Sequence, residues 1–262
     1  MTLELLTSDL SAATRPTPLL LVHGAWHGAW CWQEHFIPYL ARAGYAVYAP
    51  SLRGHGASPG RDRLRRTGIG HYVRDVAAVA AALPAAPVLI GHSMGGLVVQ
   101  KYLERHPAAA GVLLASVPPA GTLATALRIA RRHPRAFLKA NATLSLYPLV
   151  ETPELAGEHF FSPDVSDELF MVCYPQLQDE SYRAFLDMTV FSRARPKRVS
   201  VPMLILGAAN DRIFTLSEVE ATARAYGTTA TIFPDMAHDM MLEAGWRDVA
   251  DTILAWLDER GF

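Results

Sequence analysis

The amino-acid sequence predicts an α/β protein whose mostly parallel central sheet is covered by helices on both faces. Short apolar runs recur along the chain between Gly and Pro residues, and an amphipathic stretch follows each run. The runs are apolar throughout instead of alternating with polar residues, which is typical of strands buried on both faces of a parallel sheet. The regular alternation of strand and helix signals favours the same architecture.

The predicted elements follow one another in a strand-helix rhythm. The first clear strand ends at a His-Gly pair, and Gly44 lies where a glycine commonly caps the end of a helix. In chain order, the expected strands are residues 18–22, 45–49, 88–90, 111–115, 201–206 and 229–233. The expected helices are residues 32–43, 71–83, 97–105 and 246–260.

One region interrupts this rhythm. Residues 118–200 contain helical patches separated by prolines and no convincing strand. Because a structureless loop of that length is uncommon inside a compact domain, we expect an inserted helical cap over the carboxyl ends of the strands. The expected division is a core made of residues 1–117 and 201–262, with the cap at residues 118–200.

The composition excludes several classes of function. Half of the 262 residues are hydrophobic and 19% are charged, so the chain can bury a sizeable core. A formal net charge of -1 gives no electrostatic basis for binding nucleic acid or an anionic membrane surface. No apolar segment approaches the roughly 20 residues that cross a bilayer, so no stable membrane insertion is expected.

The cysteines and the N-terminal stretch bear on the compartment. Cys31 and Cys173 are far apart in the sequence and lack metal-ligand spacing, so two buried free thiols are expected. The N-terminal residues show no basic stretch followed by a long apolar run, which is the pattern of a secretory signal. We therefore expect a soluble, cytoplasmic protein, and the sequence leaves its oligomeric state open.

The strand at residues 88–90 runs into GHSMG, residues 91–95, which matches the G-x-S-x-G nucleophile elbow. A side chain at the tip of a strand-to-helix turn requires a strained backbone at Ser93. Small flanking residues, Gly91 and Gly95, leave room where neighbouring backbone passes close by. The alternative is a glycine-rich turn with an incidental serine. The buried strand before the motif and the helix after it favour the nucleophile.

A serine hydroxyl needs a base to take its proton, and the base needs an acid to orient it. When this elbow is present, the chain order is nucleophile, acid, base. Asp211 lies on the loop that leaves the strand at residues 201–206, and His238 lies on the loop after the next strand. They are the candidate acid and base. Asp235 and Asp239, which flank the histidine, are expected to be solvated loop charges.

Two backbone N–H groups are candidates for an oxyanion hole. The helix behind Ser93 aims its free N–H groups and the positive end of its dipole at a developing oxyanion, which indicates Met94 as one donor. The loop after the first strand supplies the other at Ala25, because Gly24 permits close approach. A simple strand-ending turn is the alternative interpretation of the His-Gly pair.

These motifs together resemble the α/β-hydrolase superfamily over nearly the whole chain. HGAWHGAWCW at residues 23–32 and GHSMGG at residues 91–96 are especially similar to the plant methyl-ester hydrolases and hydroxynitrile lyases. SLRGHGAS at residues 51–58 is similar to the family's D-x-x-G-H-G-x-S loop, with Ser51 where the family often has Asp.

The resemblance implies the α/β-hydrolase fold with a variable cap and a Ser93, Asp211 and His238 triad. The lyases carry a threonine where this chain has Gly24 and a lysine where it has Asp239, so the resemblance favours a carboxylic ester hydrolase acting on a small or medium-sized apolar ester. A hydroxynitrile lyase, a thioesterase and a ligand-binding receptor of the same fold stay open as alternatives. No metal or organic cofactor is expected.

The substrate pocket is the least determined feature. Trp26 and Met171 are the candidate substrate-binding residues, and Phe170, Tyr174 and Met188 are expected either to line an apolar pocket or to form the core of the cap. The basic cap segment RIARRHPR at residues 128–135 is expected to be a solvated helix face, with attraction of anionic substrates as the alternative.

Overall fold

The computed structural model describes residues 2–262 and contains a central sheet of seven strands. The strands are β1 (Leu5–Thr7), β2 (Leu19–Val22), β3 (Val47–Pro50), β4 (Val88–His92), β5 (Ala110–Leu114), β6 (Met203–Ala208) and β7 (Ala230–Phe233). Their spatial order is β1-β3-β2-β4-β5-β6-β7. At one edge β1 is antiparallel to β3, and the other neighbouring strands are parallel. The predicted α/β class with a mostly parallel sheet is confirmed.

Ten α-helices accompany the sheet over the described residues. They are α1 (Phe36–Arg42), α2 (Ile69–Ala81), α3 (Met94–Leu103), α4 (Leu123–Arg132), α5 (Pro134–Thr143), α6 (Pro153–Phe160), α7 (Asp167–Cys173), α8 (Tyr182–Leu186), α9 (Leu216–Ala225) and α10 (Trp246–Asp258). Gly44 follows α1 at a φ of 92°, a left-handed value that glycine adopts without strain, so the expected cap is present. None of the helices over residues 2–262 has the combination of length and apolar character that crossing a bilayer demands.

The central strands are apolar because both of their faces are covered. All residues of β2, β4 and β5 are buried, and their apolar side chains belong to one cluster that spans the sheet and its flanking helices. Burial of this kind stabilises a domain by roughly 25 cal/mol for each Å² of apolar surface removed from water. The result is a rigid platform, and its parallel strands end along one edge.

The sequence analysis placed the start of one helix incorrectly and missed one helix, α9, and one strand, β1. The helix expected from residue 32 begins at Phe36, since Ala29–Trp32 forms a separate 3₁₀ turn. The strand β1 was not predicted at all. It has only three residues, and its outer two are exposed, so it carries neither a buried apolar run nor a repeated alternation.

Residues 118–200 contain α4 to α8, short 3₁₀ turns and one π-helical turn at Asp187–Phe191, but no strand. The helical content agrees with the expectation for this segment. Its division from the core stays a prediction, because buried side chains such as Phe160 and Met188 belong to the same apolar cluster as the sheet.

Candidate active site

The loops that carry the candidate site residues all leave the carboxyl edge of the sheet. Ala25 follows β2, Ser93 follows β4, Asp211 follows β6 and His238 follows β7. In α/β sheets this edge is where ligands commonly bind, because the crevice beyond the strand ends is lined by loops from several strands. The fold therefore brings residues from four distant parts of the chain to one place.

Ser93 lies at a strained turn between β4 and α3. Its φ is 52° and its ψ is -118°, a combination that costs of order 1–3 kcal/mol for a residue with a side chain. The Ser93 N–H donates to the carbonyl of Leu114 on β5 at 3.0 Å, which fixes the turn against the neighbouring strand. The residue is 7% exposed, so the hydroxyl is shielded from bulk water.

The glycines of the elbow are required by the close approach of neighbouring backbone. A Cβ added at Gly91 would lie 2.6 Å from the carbonyl oxygen of Gly95, and one added at Gly95 would lie 2.2 Å from that of Val22. Both separations are shorter than real Cβ contacts. The sequence argument that these positions must be small is therefore borne out by the backbone geometry.

Asp211 and His238 are in direct contact. Asp211 Oδ2 accepts a hydrogen bond from His238 Nδ1 at 2.9 Å, and both side chains are almost fully buried. The other carboxylate oxygen, Oδ1, accepts the N–H groups of Ile213 at 2.7 Å and Phe214 at 3.1 Å. These three bonds fix the position of the carboxylate and hold the imidazole with its proton on Nδ1.

The remaining ring nitrogen of His238 has no hydrogen-bond partner among the described residues, although it is buried. The His238 ring packs against Phe214 and Phe160, with centroid separations of 5.6 and 6.2 Å. A buried nitrogen without a hydrogen-bond partner destabilises the folded protein, which favours a functional role for it. This nitrogen is the atom that would accept a proton from a serine hydroxyl.

The two candidate oxyanion donors share a cavity with Ser93. Ala25 and Met94 both line this cavity, and among residues 2–262 no acceptor takes a hydrogen bond from either backbone N–H. Met94 is the first residue of α3, where helix N–H groups lack intrahelical partners. The assignment of these two N–H groups to an oxyanion hole stays a prediction.

The cavity beside Ser93 has a volume of about 60 Å³ and an apolar wall. Apart from Ser93, Thr122 and Thr125, its lining residues are hydrophobic. Large side chains from the cap contribute much of the wall, notably Ile129, Leu146, Phe185 and Met188. Since a water molecule needs roughly 10–15 Å³ of such space, the cavity has room for a few non-hydrogen atoms.

The two candidate substrate-binding residues have different fates. Trp26 lines the cavity, and its indole N–H donates to the carbonyl of Leu146 at 3.2 Å, so it links the oxyanion loop to the cap. Met171 lies on α7, is 61% exposed and does not line the cavity. The expectation for Met171 is wrong, because α7 turns that side chain outward to solvent.

Asp239 also differs from the expectation. Instead of being a solvated loop charge, it is fully buried, and its Oδ2 accepts a hydrogen bond from His27 Nε2 at 2.9 Å. Burial would raise the pKa of Asp239, but the charge and hydrogen bond of His27 outweigh burial and lower that pKa. Sequence analysis missed His27 as a site residue.

His92 contacts the backbone of His238, the candidate base. Its Nε2–H donates to the backbone carbonyl of His238 at 2.9 Å, so the ring holds the loop that carries the candidate base. Burial, together with the nearby His238 ring, lowers the pKa of His92 to about 3, and the ring is neutral at physiological pH.

The basic cap segment is partly engaged in contacts within the chain, and its Arg131 and Arg135 are exposed. Arg128 donates to Glu218 at 2.7 Å and to the carbonyl of Ile213, thereby joining the cap to the core, while Arg132 and His133 lie near Glu158. No residue of this segment except Ile129 lines the cavity beside Ser93.

One group of side chains over residues 2–262 has the spacing of metal ligands. His92, His238 and Asp239 bring ligand atoms within 4.8 Å of one another. Their polar atoms already contact Asp211, His27 and a backbone carbonyl. Over residues 2–262, each of the three also keeps one buried polar atom without a hydrogen-bond partner, namely His92 Nδ1, His238 Nε2 and Asp239 Oδ1. A metal bound through His238 Nε2 would occupy the nitrogen that proton transfer from Ser93 requires, so metal binding and the proposed role of His238 as a base exclude each other.

Known proteins share stretches of this sequence. The chain is 35% identical over 91 residues to a pyrethroid hydrolase of Sphingobium wenxiniae, covering 35% of this chain and 32% of that protein. It is 42% identical over 108 residues to the probable esterase PIR7A of Oryza sativa subsp. indica, covering 39% of this chain and 40% of that protein. The matches thus span between a third and two fifths of these relatives' length.

The fold is shared more widely than the sequence. The structure of a putative non-heme bromoperoxidase from Mycobacterium tuberculosis superposes with a TM-score of 0.79 at 19% identity, covering 99% of this chain and 96% of that one. An esterase from Exiguobacterium antarcticum gives a TM-score of 0.72 at 18% identity, with 98% and 96% covered. The model of the alpha/beta hydrolase family matches residues 19–252, a range that includes Ser93, Asp211 and His238. The chain therefore belongs to the alpha/beta hydrolase family.

Proposed function

We propose that this protein is a serine hydrolase that cleaves a carboxylic ester of a small or medium-sized apolar substrate through an acyl-enzyme. The observation that carries the proposal is the pairing of His238 with Asp211, which leaves the second imidazole nitrogen without a hydrogen-bond partner among residues 2–262. Phe214, which packs against the His238 ring, lines the same cavity as Ser93. The esterase and hydrolase names of the relatives support the same class of reaction.

In the proposed mechanism, Ser93 attacks the ester carbonyl while His238 Nε2 takes the hydroxyl proton. Asp211 keeps the imidazole in the required tautomer and stabilises the imidazolium that forms. The N–H groups of Ala25 and Met94 would hold the oxyanion, and one such donor is typically worth about 2.7–4 kcal/mol in the transition state. The alcohol leaves with the proton from His238. Water then attacks the acyl-enzyme by the same route and releases the acid.

The cavity supports an apolar acyl or alcohol group and disfavours a charged one. Its wall is hydrophobic except for three hydroxyl side chains, and a charged group placed there without a partner would lose several kcal/mol of hydration. Its volume of about 60 Å³ favours short groups in this conformation. Trp26 and Met188 are the proposed substrate contacts.

We also propose that the partner of this site is a small molecule and that the protein works in the cytoplasm. Both cysteines are free and buried, as is usual for proteins of reducing compartments. Burial raises the pKa of the Cys173 thiol to about 12, so this thiol stays protonated and unreactive.

The test is hydrolysis of a panel of nitrophenyl and natural esters of increasing acyl length. We expect turnover of the short apolar esters and a loss of roughly 10³-fold or more in kcat for Ser93→Ala, with unchanged thermal stability. Near-normal activity of Ser93→Ala would remove the serine from the mechanism. Covalent labelling of Ser93 by a fluorophosphonate without any ester turnover would instead favour a ligand-binding receptor.

A further inference from the structure

A second buried histidine–carboxylate pair lies behind the candidate site. His27 Nδ1 is 2.7 Å from the carbonyl oxygen of Ala25, and His27 Nε2 is 2.9 Å from Asp239 Oδ2. The His27 and Asp239 side chains are 1% and 0% exposed. A carbonyl oxygen only accepts hydrogen bonds, and so does an ionised carboxylate. Both ring nitrogens must therefore carry hydrogen, which makes the pair an imidazolium and a carboxylate.

The surroundings favour this charged form of the pair. Burial would lower the pKa of His27, but the charge and hydrogen bond of Asp239 outweigh burial and raise that pKa. The other titratable side chains facing the pair come from several elements: His23, His92, His238, Glu180, Glu243, Cys31 and Cys173. Of these, His92 is held neutral, with a pKa lowered to about 3, and the burial of both thiols raises their pKa values.

The pair connects the two loops that the chemistry needs at a fixed separation. Ala25 supplies a candidate oxyanion N–H, and the residue after it, Trp26, has a left-handed φ of 64° that the His27 contact to the Ala25 carbonyl helps to hold. At the other end, Asp239 directly follows His238. One imidazole ring thus spans the gap between the oxyanion loop and the base loop.

We propose that His27 and Asp239 form a positioning ion pair that locks the oxyanion loop to the His238 loop. The proposal rests on the proposed ester hydrolysis and extends it, since neither residue contacts the reacting atoms. A displacement of about 1 Å in an active site can cost about 10²-fold in rate. Loss of the pair should therefore lower kcat, while the apolar cavity, and with it KM, is left largely intact.

The chain supplies a matched control for this experiment. His55 Nδ1 lies 3.2 Å from the carbonyl of Arg53, two residues earlier, and His55 Nε2 lies 3.0 Å from the buried carboxylate of Glu180. The pattern is the same as at His27, but it is attached to neither Ala25 nor His238. His55→Asn therefore measures what the loss of any buried pair of this kind does to folding.

The informative variants separate the two contacts of the ring. Asp239→Asn removes the charge but keeps an amide that can donate to a neutral His27. His27→Gln can reach Asp239 and abandons the Ala25 carbonyl, whereas His27→Asn can reach the carbonyl and abandons Asp239. Each variant is assayed for kcat, KM and its pH profile, for thermal stability, and for inhibition by an acyl trifluoromethyl ketone, whose Ser93 adduct presents an oxyanion.

We expect the His27 and Asp239 variants to lose about 10- to 100-fold in kcat with KM changed less than about threefold. Ketone affinity should fall in parallel. His55→Asn should lose comparable thermal stability but keep kcat within about threefold of the wild type. If the His27 and Asp239 variants keep wild-type kcat and ketone affinity, or if His55→Asn loses kcat equally, the positioning role is overturned.

A spectroscopic measurement tests the pair independently of turnover. In long-range ¹H–¹⁵N spectra of histidine-labelled Ser93→Ala protein, His27 should have two protonated nitrogens at neutral pH, and Asp239→Asn should convert it to a neutral ring. A neutral His27 at pH 7 in the parent protein would overturn the ion pair. Absence of ester turnover in the wild type would reject the proposed function, and the spectra would still decide the state of His27.

Discussion

The ring of His92 donates a hydrogen bond from Nε2 to the backbone carbonyl oxygen of His238 at 2.9 Å. The residue beside the nucleophile is thereby tied to the residue that would take the nucleophile's proton. The ring is buried, and burial lowers the pKa of His92 because it disfavours the charged imidazolium. The stability of the site should consequently depend on pH.

The first prediction concerns this dependence. The pKa of His92 falls from its ordinary value of 6.5 to about 3 in the folded protein, chiefly through burial. Between these values the unfolded chain binds a proton that the folded chain refuses, so the free energy of unfolding should decrease by about 1.4 kcal/mol for each pH unit of acidification. Burial also lowers the pKa of His23, which adds a slope of the same sign.

The measurement is urea unfolding of the wild type and of His92→Gln at about pH 5, 6 and 7. The glutamine amide can still donate to the His238 carbonyl but does not titrate in this range. The variant should show a shallower loss of stability on acidification than the wild type. Identical slopes would mean that His92 is protonated in the folded protein.

A second prediction concerns the backbone beneath the elbow. Gly95→Ala places a methyl group 2.2 Å from the carbonyl oxygen of Val22, and backbone cannot move aside as a side chain can. We expect a loss of about 3 kcal/mol or more in the free energy of unfolding, together with loss of activity. Thermal and urea unfolding provide the measurement.

The control for this variant is Gly70→Ala, in the first turn of α2. A Cβ at Gly70 meets nothing within 4 Å. Because alanine lowers the entropy of the unfolded chain and favours helix, Gly70→Ala should raise stability by about 0.5–1 kcal/mol. A tolerated Gly95→Ala would show that the turn at Ser93 is less constrained than its geometry indicates.

A third prediction concerns the length of the acyl group. Met188 lines the cavity from the π-helical turn of the cap, and Met188→Ala should enlarge the space. We expect the ratio of kcat/KM for octanoate to acetate esters to rise by about 10-fold or more, as is usual when a hydrophobic pocket gains room for further methylenes. Val190→Ala, on the same turn but 51% exposed and outside the cavity, should leave the ratio unchanged. Equal effects of the two variants would contradict the placement of the acyl group in this cavity.

A fourth prediction separates hydrolysis from cyanohydrin cleavage. A departing cyanide needs a positive charge nearby, yet no lysine lines the cavity over residues 2–262, and the position after His238 is an aspartate paired with His27. Gly24 offers no hydroxyl, and a Cβ there would lie 2.8 Å from His92 Nδ1 and 3.1 Å from Ser93 Cβ. Release of cyanide from mandelonitrile should therefore not exceed the rate with Ser93→Ala. Serine-dependent cyanide release with inert esters would reverse the assignment.

The sequence reveals those parts of the fold whose signal is local. The strands β2, β4, β5 and β6 are visible because four to six consecutive residues are buried on both faces. Ser93 is visible because a strand, a small-residue turn and a helix are contiguous around it. The edge strand β1 was not predicted because it is defined by its pairing with β3, more than forty positions away in the sequence. Its own three residues carry no strand pattern.

The sequence does not reveal contacts between loops that are distant in the chain and meet only in the folded structure. His27 and Asp239 are 212 positions apart, and neither has a neighbouring pattern that signals burial. An aspartate after a loop histidine is usually solvated, but here the Asp239 N–H donates to the carbonyl of Phe160 at 2.9 Å and its carboxylate pairs with His27, so the residue lies inside. The prediction that Met171 contacts the substrate was wrong for a related reason. Tertiary packing, which the local sequence does not show, determines which face of the short helix α7 points to solvent.

The order of the site along the chain has a consequence for protein synthesis. The strained serine turn is complete by residue 96, but the acid and the base come from the last quarter of the sequence and contact each other only after β6 and β7 have joined the sheet. If Asp211 and His238 activate Ser93 as proposed, a nascent chain on the ribosome carries an unactivated serine until β6, β7 and the loops after them have been translated. A product truncated before His238 would keep Ser93 as an ordinary alcohol. The proposed hydrolytic activity would therefore require the finished sheet.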